Sequence, residues 1–161
     1  MKQNSIKSIT AISIAIMVFC GLSAILVIVQ GIVGFVSPEN MGVVWSDELI
    51  NFQIVIASGR ILGGAAFFCL ITAFLVKTIK GLKNGILFPA SNVRILYFSA
   101  LALFISNFCC SNVGIMTGSE SNLLLDTDDI AISLILVLFA MIYKIAVKIS
   151  EENRLTIYQG S

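Results

Sequence analysis

Four long apolar segments divide this chain of 161 residues, and they restrict its fold more than any other feature. The segments cover approximately residues 9–36, 55–76, 93–113 and 130–147. Each is close to the roughly 20 residues that an α-helix needs to cross a bilayer. None shows the two-residue alternation of a membrane β-barrel strand. We therefore predict an all-α fold in which residues 1–161 form a single membrane domain, an integral membrane bundle of four transmembrane helices.

The polar segments around these spans alternate in the sign of their charge. Seven of the nine acidic residues lie in residues 37–53 and 117–129, which contain no Lys or Arg. Nine of the ten basic residues lie in the other polar segments, toward the two chain ends and between the second and third spans. Basic segments tend to stay on the cytoplasmic side of a membrane. We therefore predict that both termini and the loop 77–94 are cytoplasmic.

The composition excludes several functional classes. The chain contains no histidine, so it cannot form a histidine-ligated zinc or haem site or a Ser-His-Asp triad. Because no acidic residue lies inside a span and no cofactor motif is present, we predict that it is not an enzyme and holds no metal or cofactor. A net charge of +1 argues against direct nucleic-acid binding, which needs a basic face. The four cysteines lie in apolar segments, which favours packing roles, although the adjacent Cys109 and Cys110 leave a redox role open.

Apart from Arg94 and Lys144, which lie near the predicted cytoplasmic ends of the third and fourth spans, Arg60 is the one charged residue inside a span. Counting back from Lys77 places it about 4.5 Å below the outer edge of the second span, at 1.5 Å per residue. Two interpretations are open: an anchor that pairs with an acidic loop residue, or a site for an anionic or polar ligand. Asn107 lies at a similar depth in the third span, where an amide needs a partner. We therefore treat Arg60 and Asn107 as candidate ligand-binding residues that share one polar pocket.

The first acidic loop contains apolar residues at helical spacing. Trp45, Leu49, Phe52 and Ile56 lie on one face of a helix. This spacing predicts a short interfacial helix that continues into the second span, with Trp45 at the level of the lipid headgroups. The alternative is that the second span simply begins early.

Local signals also suggest how the helices start and pack. Ser91 or Asn92 could cap the third span, and residues 127–129 could cap the fourth. Gly59 and Gly63 form a G-x-x-x-G pair, which lets another helix approach closely. Packing within the bundle is favoured over dimerisation for this pair.

Two segments on the predicted cytoplasmic side carry a recognisable pattern. Residues 85–96 read Gly-x-x-Phe-x-x-x-Asn-x-x-x-Leu at the start of the third span, and residues 151–157 read Glu-Glu-Asn-x-Leu-Thr-Ile after the fourth. Together with the four-span layout over nearly the whole chain, they resemble the bacterial membrane family called domain of unknown function 2975 (DUF2975). Pro89 departs from that pattern, in which Ser or Thr is expected near Phe88.

The resemblance implies no established activity, but it does imply a partner. Members of that family are often encoded beside a short helix-turn-helix regulator of the Xre type. The implied function is a sensor or regulator in the bacterial cytoplasmic membrane that acts with this cytoplasmic protein. The candidate partner-binding residues are Phe88, Asn92, Glu151, Glu152, Asn153 and Thr156. A small transporter or channel subunit and a structural membrane protein are the alternatives, and a homo-oligomer in the lipid bilayer is open for each.

Overall fold

A computed structural model describes the backbone of residues 3–120 and 122–159 and the side chains of residues 7–120 and 122–153. This part of the chain contains helices and no strand. The α-helices are α1 (Gln3–Val36), α2 (Ile50–Lys83), α3 (Ser91–Ser111), α4 (Val113–Met116) and α5 (Thr127–Gln159). A 3-10 turn at Pro38–Met41 follows α1. Four helices, α1, α2, α3 and α5, are long and apolar enough to cross a membrane, which confirms the predicted fold class.

Helices α1, α2 and α5 extend beyond the predicted spans, and local chemistry explains where α2 ends and α5 begins. The last turn of α2 closes with the hydrogen bonds Ile86 N–H to Gly81 O (2.8 Å) and Gly85 N–H to Leu82 O (3.2 Å). This is a Schellman motif, and it requires the left-handed backbone that Gly85 adopts, with φ of 73°. At the start of α5, Asp126 Oδ1 accepts the backbone N–H of Asp128, so Asp126 is the capping residue.

The predicted interfacial helix beginning at Trp45 is wrong. Helix α2 begins at Ile50, so the alternative, an early start of the second span, is the one found. Trp45 lies in the connecting segment and stacks on Phe35 near the end of α1, with 5.7 Å between ring centroids. The side chain of Gln53 holds this segment outside the helix, because it accepts the N–H of Ser46 and donates to the carbonyl of Val44.

Three of the long helices form the core, and α1 lies at its side. Helix α2 packs between α1 and α3, and α3 packs between α2 and α5. Within the described residues α1 has no backbone neighbour in α3 or α5. One apolar cluster, of α2, α3 and α4, is formed by Ile56, Ala57, Cys109, Ile115 and Met116. The other, of α3 and α5 with Phe74 of α2 against it, is formed by Leu96, Ala140, Tyr143 and Val147.

The two clusters mark the two ends of the bundle. Helices α2 and α3 run antiparallel, since Gly59 lies against Cys109 whereas Thr78 lies against Asn92. We call one end the basic end; it holds Lys77, Lys80, Lys83, Arg94, Lys144 and Lys148. The opposite end is the acidic end; it holds Glu39, Asp47, Glu48, Glu120, Asp126 and Asp128.

Gly63 allows α2 and α3 to touch backbone to backbone. A Cβ on Gly63 would lie 2.9 Å from the Ser106 nitrogen and 3.0 Å from the Ala102 carbonyl oxygen. Neither of these backbone atoms can rotate away as a side chain can. Gly59 similarly faces the sulfur of Cys109. The glycine pair therefore packs within the bundle, as predicted.

Replacing Gly63 with Ala should separate α2 from α3 and lower the free energy of unfolding by about 1–3 kcal/mol, the usual cost of overpacking. The matched control is Gly21→Ala on α1, because a Cβ at Gly21 meets no atom within 4 Å. Helix propensity favours Ala at both positions. SDS titration of the protein in mild detergent, followed by circular dichroism, should give a lower midpoint for Gly63→Ala only. Equal midpoints for the two variants would contradict the close contact.

Candidate functional site

Arg60 lines a cavity at the acidic end of the bundle. The cavity has a volume of about 50 Å³ and lies between α1, α2, α4 and the segment that joins α1 to α2. It exceeds the roughly 10–15 Å³ that one water molecule requires, so it can hold a small polar group. Gln30 and Thr117 are the other polar side chains of its lining, and the remaining lining residues are glycine or apolar.

Glycine residues of α1 and a pair of stacked aromatic rings shape the walls of this cavity. The Ile61 side chain packs directly against Gly31 of α1, which brings α1 and α2 together just below the cavity. Gly34, one turn further along α1, leaves open space, since a Cβ there would meet nothing within 4 Å. The stacked rings of Phe35 and Trp45 line the side toward the acidic end. The result is an apolar chamber with one cationic group.

The Arg60 guanidinium has no hydrogen bond or ion pair within the described part of the chain. No described carboxylate oxygen comes within 4.0 Å of it. The anchor interpretation requires such a pair, so the geometry does not support it. A partly buried cation without a counterion is costly, and a guanidinium pairs well with a carboxylate or a phosphate. Ligand binding at Arg60 therefore stays a prediction, and the cavity that Arg60 lines is where such a ligand would bind.

Asn107 does not line the Arg60 cavity. It lies on α3, partly buried, and its side chain has no hydrogen bond among the described residues. The face of α3 that meets α2 carries Ser106 and Cys109, and Asn107 is turned about 100° from Ser106. The sequence predicted that Arg60 and Asn107 lie at a similar depth in their spans and share one polar pocket. The structure does not bring them into one pocket.

Two buried amides at this end organise the loops, and sequence reasoning missed the first of them. Gln53 is fully buried; it donates to the carbonyls of Val44 (2.7 Å) and Ile115 (3.0 Å) and accepts the N–H of Ser46 (3.0 Å). It therefore holds the first loop and α4 against the start of α2. The sequence signal that could have identified it is a glutamine at the edge of an apolar segment, because a buried amide without a hydrogen-bond partner is costly.

Asn112 does the same for the second acidic loop. Its side chain is fully buried and donates to the carbonyls of Phe108 (2.8 Å) and Leu124 (2.7 Å). It also accepts the N–H of Leu124 at 2.7 Å. With Leu124, the Asn112 side chain thus makes the same pair of N–H and carbonyl bonds that two backbone segments make. This pair of bonds holds Leu124 at the end of α3. The role of Asn112 is therefore structural.

At the basic end, Asn92 joins three helices. It is fully buried and donates to Thr78 Oγ1 (2.9 Å), the Phe74 carbonyl (3.3 Å) and the Tyr143 hydroxyl (3.3 Å). It does not cap α3: the capping position is Ala90, without a side-chain hydrogen bond. A direct contact between Asn92 and a partner protein conflicts with this burial. Its role is internal, since it links α2, α3 and α5.

The structure brings Phe88 and Asn153 into one groove beside α5. We call this the docking groove; its lining residues are Gly85, Leu87, Phe88, Ala146, Ile149, Ser150 and Asn153. Its volume is about 430 Å³. The Phe88 ring packs edge-on against Tyr143, with 5.5 Å between centroids, and Asn92 holds the Tyr143 hydroxyl. The two sequence motifs thus meet at one surface.

The other predicted partner residues lie elsewhere or outside the described residues. Glu151 lines a different groove, between α3 and α5. Glu152 lies 3.9 Å from Lys148 Nζ in an exposed pair, which contributes about 0–1 kcal/mol. The side chain of Thr156 lies outside the described residues.

The cysteines form no disulfide and no metal cluster. All four are free thiols; Cys109 is buried in the acidic-end core and the neighbouring Cys110 is exposed. Among the described residues no group of three or more His, Cys, Asp or Glu side chains could hold a metal ion. The absence of enzymatic activity stays a prediction.

Comparison with known proteins found no relative of this chain. No family model, curated protein or solved structure matches the chain. The resemblance to the domain of unknown function 2975 therefore stays a prediction that depends on residues 85–96 and 151–157.

Replacing Gln53 with Leu should lower the free energy of unfolding. The substitution leaves the Ile115 and Val44 carbonyls and the Ser46 N–H without their side-chain partner, at about 1–3 kcal/mol for a buried unsatisfied group. Gln30→Leu is the control, because Gln30 is exposed on α1 and its side chain makes no hydrogen bond within the described residues. Thermal unfolding in mild detergent should distinguish the two variants. A Gln53→Leu protein as stable as Gln30→Leu would contradict the role of Gln53.

An anionic amphiphile should bind at Arg60 and change the fluorescence of Trp45. Trp45 is the single tryptophan of the chain and lines the same cavity, so it reports occupancy directly. We expect oleate to cause a saturable change in fluorescence that neutral oleyl alcohol does not cause. Arg60→Gln should abolish the change, whereas Lys77→Gln, which removes one cation at the opposite end, should preserve it. The same oleate response in the Arg60→Gln protein would refute an anion site.

Proposed function

We propose that this chain is a sensor or regulator of the bacterial cytoplasmic membrane whose basic end binds a cytoplasmic helix-turn-helix protein. The observation that carries the proposal is the convergence of Phe88 and Asn153 in the docking groove. These residues come from two separate sequence motifs, more than 60 positions apart. Their meeting at one open surface is what a partner-binding role requires.

The shape of the basic end supports a protein partner. Helix α5 continues to Gln159, twelve residues beyond Val147 of the basic-end core, or about 18 Å at 1.5 Å per residue. It therefore extends past the core next to the docking groove. A helix beside an apolar groove offers both a shape and a surface for recognition.

The charge distribution supports a cytoplasmic position for this surface. The basic end carries the six Lys and Arg side chains by which it is defined, and Lys7 at the start of α1 lies at the same end. Basic segments stay on the cytoplasmic side of a membrane. A DNA-binding regulator is present only in that compartment. The chain itself has a net charge of +1, so contact with DNA belongs to the partner.

A signal can reach the docking groove through α2. This helix is unbroken from Ile50 to Lys83, so it carries Arg60 at one end and Phe74 and Thr78 at the other. Phe74 and Thr78 contact the Asn92 and Tyr143 group on which Phe88 packs. A small shift of α2 against α3, caused by a ligand at Arg60, would therefore change the support of Phe88.

The alternative of a small transporter or channel subunit has less support. The described lining of the Arg60 cavity reaches no further than Val27 of α1 and Ile61 of α2, both in the acidic half. Transport needs polar groups that continue to the other side. Flux through reconstituted vesicles that depends on Arg60 would favour this alternative, and a purely structural membrane protein would show neither flux nor a partner.

Co-purification tests the proposal. The adjacent gene should encode a short helix-turn-helix protein, and this protein should co-purify with the chain in mild detergent. Asn153→Arg should reduce its affinity by about tenfold, because a lost interface contact costs more than about 1 kcal/mol. Asn84→Arg is the matched control: Asn84 is also an exposed asparagine at the basic end but does not line the groove.

Two results would reject the proposal. One is a regulator that does not bind the intact chain in detergent or in nanodiscs. The other is equal binding by the Asn153→Arg and Asn84→Arg proteins together with unchanged binding after deletion of residues 151–161. Size-exclusion chromatography of each variant establishes that it is folded.

A further inference from the structure

A second groove at the basic end lies on the other side of α5, between α3 and α5. Its volume is about 650 Å³, and three basic side chains line it: Arg94, Lys144 and Lys148. We infer that this groove binds an acidic phospholipid of the surrounding bilayer. We call it the lipid groove; the inference does not depend on the proposed function.

The charges of the lipid groove are available to a ligand. Arg94, Lys144 and Lys148 are exposed, and Arg94 and Lys144 have no carboxylate partner within the described residues. Within the described residues, the one ion pair of Lys148 is the loose 3.9 Å contact with Glu152. Glu151 also lines the groove, which leaves a net charge of +2 from three cations and one carboxylate. Guanidinium and ammonium groups on two facing helices are suited to one phosphate between them.

Polarity changes along the lipid groove in the order found in a phospholipid. On α5 the lining runs from Lys148 through Lys144 to Met141, over about 10.5 Å at 1.5 Å per residue. On α3 it runs from Arg94 in the first turn to Tyr97 about one turn deeper. The cationic part lies nearer the basic end, and the apolar part lies deeper in the bundle. This order matches a headgroup followed by an acyl chain.

The apolar part distinguishes a phospholipid from a soluble phosphate compound. Met141 and Ile145 are 51% and 60% exposed, although both lie in a helix long enough to cross a membrane. The acyl chain of a bound phospholipid would pack along these side chains, a contact that a soluble phosphate compound cannot make. Tyr97 adds an aromatic ring with a polar tip, the type of side chain found at the headgroup boundary.

The chain offers a matched control of equal charge. Lys77, Lys80 and Lys83 near the end of α2 are also exposed and also lie at the basic end. None of them lines the lipid groove. Neutralising these three residues removes the same charge from the same end, so it separates a built site from a general attraction to an acidic membrane.

Native mass spectrometry of the detergent-purified protein tests the inference. The intact chain should retain one phosphatidylglycerol in preference to phosphatidylcholine. The variant R94Q/K144Q/K148Q should lose this preference by about tenfold or more, since each basic residue near the headgroup contributes to the attraction. The variant K77Q/K80Q/K83Q should retain it. Glu151→Gln should bind phosphatidylglycerol more tightly, because it removes the one negative charge of the groove.

Three outcomes would overturn the inference. Equal losses in the two triple variants would show a general charge effect. Binding of glycerol phosphate as tight as that of phosphatidylglycerol would assign the groove to a soluble phosphate compound. No gain from Glu151→Gln would place the phosphate elsewhere, and this single change provides the test even if the groove triple variant does not fold.

Discussion

The contact between α2 and α3 at Gly63 is the constraint on which the rest of the structure depends. The absent side chain lets the two backbones meet beside Ser106 and Ala102. This close approach brings Asn92 within hydrogen-bonding distance of Thr78 at one end of the pair. At the other end it brings the acidic-end cluster together around Ile56 and the buried thiol Cys109. Helices α1 and α5 then pack on this central pair from opposite sides.

Buried amide side chains supply hydrogen-bond partners that the helices themselves do not provide. In an apolar environment each unpaired backbone group is costly, so a loop at the bundle surface needs partners as much as a helix end does. Gln53 and Asn112 supply them for the two acidic-end loops, and Asn92 joins α2, α3 and α5 at the basic end. All three amides are fully buried. Three buried polar residues thus hold the loops and helix ends of a mostly apolar chain in place.

The number of long helices and the positions of their apolar centres could be predicted from sequence, because the thickness of a bilayer requires about 20 consecutive apolar residues in each span. Their full lengths could not, since α2 and α5 continue well past the apolar segments. The rotation of each helix could not, since it depends on which side chains fit together. Arg60 and Asn107 have matching depths but lie on different faces, so the predicted shared pocket is absent from the described residues. The spacing from Trp45 to Ile56 fits a helical face, yet the bonds from Gln53 to Val44 and Ser46 hold the first part of that segment outside the helix. The meeting of Phe88 with Asn153 required the positions of α3 and α5, which no local pattern contains.

Because α1 has only α2 as a helical backbone neighbour among the described long helices, the packing of α2, α3 and α5 on one another does not involve α1. Yet α1 supplies Val27, Gln30, Gly31, Gly34 and Phe35 to the wall of the Arg60 cavity. A tilt of α1 away from α2 would therefore open this cavity sideways into the hydrocarbon of the membrane. A ligand with an acyl chain would then enter from the bilayer without crossing water. The barrier to that entrance is the contact between α1 and α2, in which Ile61 packs on Gly31, together with the stacking of Phe35 on Trp45.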